Sequence, residues 1–452
     1  MASKPVSVYL DECSAADSRL RYLTQDAVLP KAYAESYGDV LLSRPVIAGH
    51  GEITAFADDL RALFRILTSL PERCFDGDLN RYCAAIGLDD ELAAVIRRGA
   101  TGSPTFYTRA DAFHDGESFK LLEFNIGSEL GGVDAAQINR AFLAVDAFAR
   151  FAEAHRLEYV DTLRLLVAEL RAAARRVTAT DPVVALIEAP GALRLHVGVF
   201  LAIQEAMRDH GIDLLLGEIQ ELDGAAGKIT LHGQPLDVVL RYFSAGELIG
   251  DPAALDTLDL LVRADAEGRT ALYSQLEGAL FASKASLGLL HDPAVRKALT
   301  PRETAVVDRI VPHTLVIGAG TRRVADADLD AAREYALAHR ESLVLKPGVA
   351  YSAEGVSIGH ELSEQDWRRA VANARGRDYV AQQLVTPAPE PVLDPATGRI
   401  EDWNMNWGIF ATEAGYSGAF VRALKPSDGS VITFANPGTR GACVFTCPEG
   451  SN

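Results

Sequence analysis

The sequence predicts a mixed α/β protein of several domains, and three observations predict it. The first is size and composition. The chain has 452 residues, 48% hydrophobic and 23% charged, an ordinary globular balance that suits two or three domains. The second is hydrophobic spacing, which switches between helical recurrence and strand-like alternation along the chain. The third is a strand–helix–strand order after Pro182, the mark of a small parallel sheet. Together they exclude a disordered tail protein, a collagen-like fibre and a small disulfide scaffold.

The elements follow in order. Residues 15–100 read as mostly helical: Ile53, Phe56, Leu60, Leu63, Phe64 and Leu67 recur at helical spacing. Residues 105–113 and 119–125 alternate like two strands around the turn-rich link His114–Ser118. A long helical stretch is expected over 135–179, broken near Arg156–Glu158. Residues 183–187 read as a buried strand, 195–210 as a helix ending at Gly211, and 213–216 as a strand. Leu231–Leu236 reads as a hairpin tip. Further on, strands are expected at 314–317, 343–346 and 379–385, with helices at 284–290, 329–339 and 364–375. The last fifty residues read as antiparallel strands. Five regions result: a helical N-terminal region 1–104, then 105–180, 181–275, 276–386 and 387–452.

Acids outnumber bases, 62 to 44, for a net charge of -18. Phosphate neutralisation supplies most non-specific nucleic-acid affinity, so a chain this acidic is not expected to bind nucleic acid. The same balance argues against binding to an anionic membrane surface. No run of 18 apolar residues appears, and the N-terminus lacks a signal-peptide core. Five cysteines, with no CxxC pair, suit a reducing compartment. A cytoplasmic protein is expected. Only eight lysines occur, which makes a lysine inside a motif more informative.

The first constellation is Arg109, Asp111, Glu123 and Asn125. Residues two apart on a strand share a face. If the two strands form a hairpin with Asp111 opposite Glu123, Arg109 falls opposite Asn125 and all four share one face. Two carboxylates and an amide oxygen suit Mg²⁺ bridging substrate phosphates. Arg109 would then face a transferring phosphoryl group. A salt-bridged surface hairpin satisfies the same spacing. The turn Gly127–Asp134, which opens a helix, adds backbone N–H groups of the kind that bind anions.

The second constellation is Lys346, which ends an apolar strand and precedes a glycine loop running to Gly359. The strand would fix the ammonium group while the loop closes over phosphates. A snorkelling surface lysine fits the same pattern. Gly318-Ala319-Gly320 follows a strand but lacks the third glycine, Arg323 standing in its place, so nicotinamide binding is not expected. Arg194 and Arg241 are candidates for substrate carboxylates, with solvated surface as the alternative for each.

These pieces, in this order, resemble the circularly permuted ATP-grasp ligases of the glutathionylspermidine synthetase type. The resemblance spans roughly residues 105–435. It implies that Asp111, Glu123 and Asn125 hold Mg²⁺ and that Arg109 contacts the transferred phosphoryl group. Ala282-Ser283-Lys284-Ala285 stands where the family has Asn-Lys-Ala, so Lys284 would reach a nucleotide phosphate. Ile310-Val311-Pro312-His313-Thr314 resembles the family's approach to its lid. Lys346-Pro347 and the loop through Gly355 match its lysine and glycine loop, with Ser352-Ala353-Glu354-Gly355 where the family has Gly-Arg-Glu-Gly. Gln382, Gln383 and Leu384 resemble the adenine hinge, and Arg422 a late Gly-x-x-x-Arg element with a catalytic role. Ser128, Gly131 and Gly132 would hold the carboxylate or its acylphosphate. The resemblance thus implies an ATP-grasp fold, circularly permuted because the metal strands precede the lid lysines. It further implies ATP and Mg²⁺ as cofactors, and amide formation between small-molecule carboxylate and amine substrates (an amino acid, peptide or polyamine). A homodimer is an open expectation. Two rivals stand: a small-molecule kinase on the same ATP site, and a nucleotide-binding protein without turnover.

Overall fold

The computed structural model describes residues 4–102, 104–225, 227–318, 329–349, 354–375 and 377–448. It is a mixed α/β structure organised around a seven-stranded sheet. Strand order in that sheet runs Val46–Gly49, Arg440–Cys447, Gly415–Leu424, Ile400–Thr412, Tyr107–His114, Phe119–Ile126, with Glu390–Leu393 pairing beside Ile400–Thr412. Only the Val46–Gly49 pairing is parallel. Strands from the start and the end of the chain therefore close one sheet.

The long helix His50–Phe75 packs beneath it. Ile53, Phe56, Ala57, Leu60, Leu63, Phe64, Leu67 and Leu70 are all buried. They form the helical stripe that the spacing predicts. Asp76, at φ 56°, and Gly77, at φ 73°, turn the chain out of the helix.

A second, four-stranded parallel sheet orders Ala271–Tyr273, Val238–Arg241, Val184–Glu188, Leu215–Glu218. Val184–Glu188 is buried throughout, as a strand covered on both faces requires. Beside it, Leu231 pairs Gln234 across a turn at His232 and Gly233, both at positive φ. The expected hairpin tip is therefore present.

A third sheet is antiparallel, in the order Thr314–Val316, Tyr379–Gln383, Leu343–Pro347, Ser357–Ile358. The short helix Lys284–Leu289 packs on it: a Cβ at Gly288 would lie 2.8 Å from a Val316 methyl. This sheet faces the end of the large sheet that carries Tyr107–His114 and Phe119–Ile126.

Two expectations need correction. The stretch 135–179 is three helices, Ala136–Leu143, Asp146–Ala154 and Thr162–Ala174. The Asp161 side chain caps the third by accepting from the Arg164 N–H. The strand Val46–Gly49 lies inside the region read as helical. Tyr351, Ser352 and Ala353 of the glycine loop, and Ala319, Gly320 and Arg323, lie outside the described residues. Among those described, no helix is long and apolar enough to cross a membrane.

Candidate active site

The register places Arg109 opposite Asn125 and Asp111 opposite Glu123, as the alternation predicts. On the other side of Tyr107–His114, Gly408 stands opposite Asp111. A Cβ at Gly408 would come within 2.7 Å of the Phe420 ring and 3.2 Å of Arg109 Cδ. The absent side chain leaves room for Arg109 to lie across the sheet.

Asp111 is only 5% exposed. Its Oδ1 accepts from Arg109 Nε at 2.9 Å and its Oδ2 from Arg422 Nη2 at 2.5 Å. Burial pushes the carboxyl up, but the two guanidinium groups outweigh burial and hold it below the ordinary carboxylate value. Glu123 pairs with Lys284. Asn125 donates its amide to the Arg109 carbonyl at 3.2 Å, which leaves the amide oxygen as an acceptor. Lys284 opens its helix behind Ser283, whose hydroxyl accepts from Ala285 N–H. The backbone N–H of Lys284 donates to Gly348 O at 2.9 Å. The helix is thereby tied to the strand end that bears Lys346.

Lys346 donates to Gln382 Oε1 at 2.7 Å and to Leu122 O at 3.4 Å. Burial, reinforced by Lys284, pushes its ammonium group down to about 8, against the upward pull of Glu123 and Asp111. Gly355, at φ +71°, sits where a Cβ would strike Pro347 and the Tyr379 hydroxyl. The backbone N–H of Gln383 is held by His313 O at 2.7 Å and that of Leu384 by Ser342 O at 2.8 Å. Neither donor is free for a base edge, which leaves their carbonyls.

Arg109, Asp111, Glu123, Lys284, Lys346 and Arg422 line one cleft of about 570 Å³, a size suited to a small ligand. Phe113, Leu122, Val344 and Ile358 add apolar lining. Four cations line the cleft; Asp111 and Glu123 pair with three of them, and Glu354 stands on the lining as well. Glu129 also faces the cleft but is matched from outside by Arg241 at 2.6 Å.

The remaining candidates divide. Gly131 offers its carbonyl to Arg109 Nη1 at 3.1 Å. Gly132, at φ +89°, lies where a Cβ would be 2.3 Å from the Phe420 ring, so glycine is needed there twice over. Ser128 is wholly buried, and its hydroxyl is committed to Arg241 O at 2.6 Å and Tyr273 O at 3.1 Å. It staples the turn to the parallel sheet rather than facing a substrate. Arg194 is exposed. Arg241 is not: it is 1% exposed and bound to Glu129, to Phe243 O and to Ser274 O.

Sequence reasoning missed Asn404 and Asn406, which line the cleft from Ile400–Thr412. Asn406 Oδ1 and Arg422 Nε are buried without hydrogen-bond partners. The residues stand opposite each other across the strand pair. The alternation of Asn404, Asn406 and Gly408 with Met405 and Trp407 is the signal that marks this face. Among the described residues no group of three or more His, Cys, Asp or Glu could hold a metal ion; any metal site here would depend on amide oxygen as well.

No protein-family model matches the chain, and no curated protein matches it. Among solved structures, a glutathione synthetase-like effector from Globodera pallida, in its apo form, aligns over 95% of this chain and 97% of its own. The TM-score is 0.58 at 15% identity. A putative gamma-glutamylcysteine synthetase from Methylobacillus flagellatus KT aligns over 88% of this chain and 89% of its own, with a TM-score of 0.44 at 13% identity. The fold assignment rests on the first: the chain has a glutathione synthetase-like fold.

Proposed function

We propose that the chain is an ATP-dependent carboxylate–amine ligase of circularly permuted ATP-grasp type. One observation carries the reading. In a protein of net charge -18, four cationic side chains line one cleft: Arg109 and Arg422 are held by Asp111, Lys284 by Glu123, and Lys346 by the neutral amide of Gln382. Such a site suits a polyanion, and its apolar lining, Phe113, Leu122, Val344 and Ile358, suits an aromatic base. The fold likeness supports the ligase class. So does the chain order, in which the Arg109–Asn125 strands precede Lys284 and Lys346.

Lys284, Lys346, Arg109 and Arg422 would bind the triphosphate, and Arg109 and Arg422 the charge that develops in transfer. The substrate carboxylate attacks the γ-phosphorus; its bond to the bridging oxygen breaks and ADP leaves. The amine then attacks the acylphosphate carbon, the carbon–oxygen bond to phosphate breaks, the nitrogen gives up a proton that the departing phosphate can take, and an amide remains. Holding both reactants in line is most of the catalysis.

The donor set fits Mg²⁺ in its chemistry: Asp111, Glu123 and Asn125 supply hard oxygen ligands from one sheet face. Held there, the ion would supply positive charge against the phosphates. Both carboxylates already hold cations, so Mg²⁺ is expected to enter with the nucleotide rather than ahead of it. A cytoplasmic setting accords with five unpaired cysteines.

The test is Mg²⁺-dependent ADP and phosphate release against pooled amino acids, peptides and polyamines, with mass spectrometry of the products. A product equal in mass to two substrates less water is expected. A phosphorylated product would make the protein a kinase, and AMP in place of ADP would contradict the acylphosphate route.

A further inference from the structure

Three side chains of the antiparallel sheet form a relay that ends on the cleft. Thr314 pairs directly with Gln382, and Lys346 pairs with Val380, two residues away on the same strand. The two-residue period therefore sets Thr314, Gln382 and Lys346 on one face. Lys346 Nζ donates to Gln382 Oε1 at 2.7 Å, Gln382 Nε2 donates to Thr314 Oγ1 at 3.2 Å, and Thr314 Oγ1 donates to Pro312 O at 2.8 Å. Gln382 and Thr314 are both 0% exposed.

The direction of the relay is fixed by chemistry. An ammonium group has donors and no acceptor, so the amide must turn its oxygen to Lys346. Its NH₂ then faces Thr314, and the threonine hydroxyl must send its proton to the Pro312 carbonyl. Each group fixes the next, and the end of the chain is backbone. The Gln382 side chain is 0% exposed, with its oxygen on Lys346 and an N–H on Thr314, so it is turned to protein partners rather than to a base edge.

We propose that Gln382 is a positioning residue for phosphate binding: it holds the Lys346 ammonium group in the cleft and does not read the base. This inference rests on the nucleotide reading proposed above. The neutral amide matters because a carboxylate partner would compete with phosphate for the same ammonium group. Gln382 fixes the lysine in place while leaving its charge uncancelled. Lys284, paired with Glu123, has no such arrangement.

The experiment is calorimetric titration of ATP and of GTP, each with Mg²⁺, into wild type, Gln382→Met, Lys346→Met and the double variant. Gln382→Met is expected to weaken ATP about tenfold, the size of a hydrogen bond to a charged group. The ratio of ATP to GTP affinity should stay at the wild-type value. The double variant should bind no more weakly than Lys346→Met alone, because Gln382 acts only through the lysine. A collapsed ATP-to-GTP ratio, or losses that add in the double variant, would overturn the positioning role. If Lys346→Met binds ATP as wild type does, the phosphate role of Lys346 fails and this inference with it. A wild type that binds neither nucleotide overturns the proposed function itself. Should Gln382→Met not fold, Thr314→Val removes the next link. It should weaken ATP in the wild-type background and change nothing in Lys346→Met; equal losses in both backgrounds would contradict the relay.

Discussion

Lys284 and Lys346 stand in one cleft and are held by opposite means. Lys284 meets the carboxylate of Glu123, on the large sheet, while Lys346 meets the neutral amide of Gln382, on the smaller antiparallel sheet. On the large-sheet side every cation is matched to a carboxylate: Arg109 and Arg422 to Asp111, Lys284 to Glu123. Across the cleft the charge of Lys346 is positioned but not matched. Ion pairs of the first kind can be exchanged when phosphate and Mg²⁺ arrive together. An unmatched buried charge is costly to hold, and that cost is relieved when an anion binds.

The largest effect should come from the matched side. Asp111→Asn keeps the shape but removes the charge that pairs two arginines. Mg²⁺-dependent ADP release is expected to fall by about a hundredfold or more, with circular dichroism and gel filtration unchanged. Wild-type turnover in this variant would remove Asp111 from the site.

Lys346→Met tests the other side. In the folded protein the Lys346 proton leaves near 8, below the usual 10.5 of an exposed lysine. Between those two values the unfolded chain binds more protons, so this group makes stability rise with pH there. ATP affinity should move the opposite way, falling as pH rises through about 8. Lys346→Met should weaken ATP about tenfold or more at pH 7 and abolish both slopes. A pH profile identical to wild type would show that another group sets it.

Glu123→Gln sharpens the contrast by freeing Lys284. ATP binding without Mg²⁺ should tighten by about fivefold at most, the range of a partly exposed ion pair, while the additional gain from Mg²⁺ shrinks. Calorimetry with and without the ion reads both.

Glu188 is a third case, a buried carboxyl that accepts from the Ala189 backbone N–H at 3.0 Å. It is 6% exposed and is pushed up to about 7 by burial, with Glu247, Glu129 and Glu218 adding to it. The folded state then binds more protons than the unfolded between the ordinary 4.5 and 7, so stability falls as pH rises through that window. Glu188→Gln should remove this loss and stabilise the protein at pH 8 by about 2 kcal/mol or less. An unchanged urea midpoint at pH 8 would contradict it.

How much of this was legible depends on range. The hairpin register of Asp111 with Glu123 could be read because period-two alternation fixes which residues share a face. The hairpin at His232–Gly233 was legible from its turn residues. The strand Val46–Gly49 was not, since four apolar residues before a helix carry no period of their own. The burial of Arg241 was not, because its partner Glu129 lies 112 positions away. Gln382 looked like a hinge residue in sequence; only the pairing of Thr314 and Lys346 beside it shows where its amide is spent.

The most direct measurement of whether this cleft is a nucleotide phosphate site is calorimetric titration of ATP into the wild-type protein, with and without Mg²⁺, beside adenosine as control. Binding of ATP that strengthens with Mg²⁺, while adenosine binds far more weakly, is the predicted result. Equal affinity for ATP and adenosine, or no ATP binding at all, would contradict it.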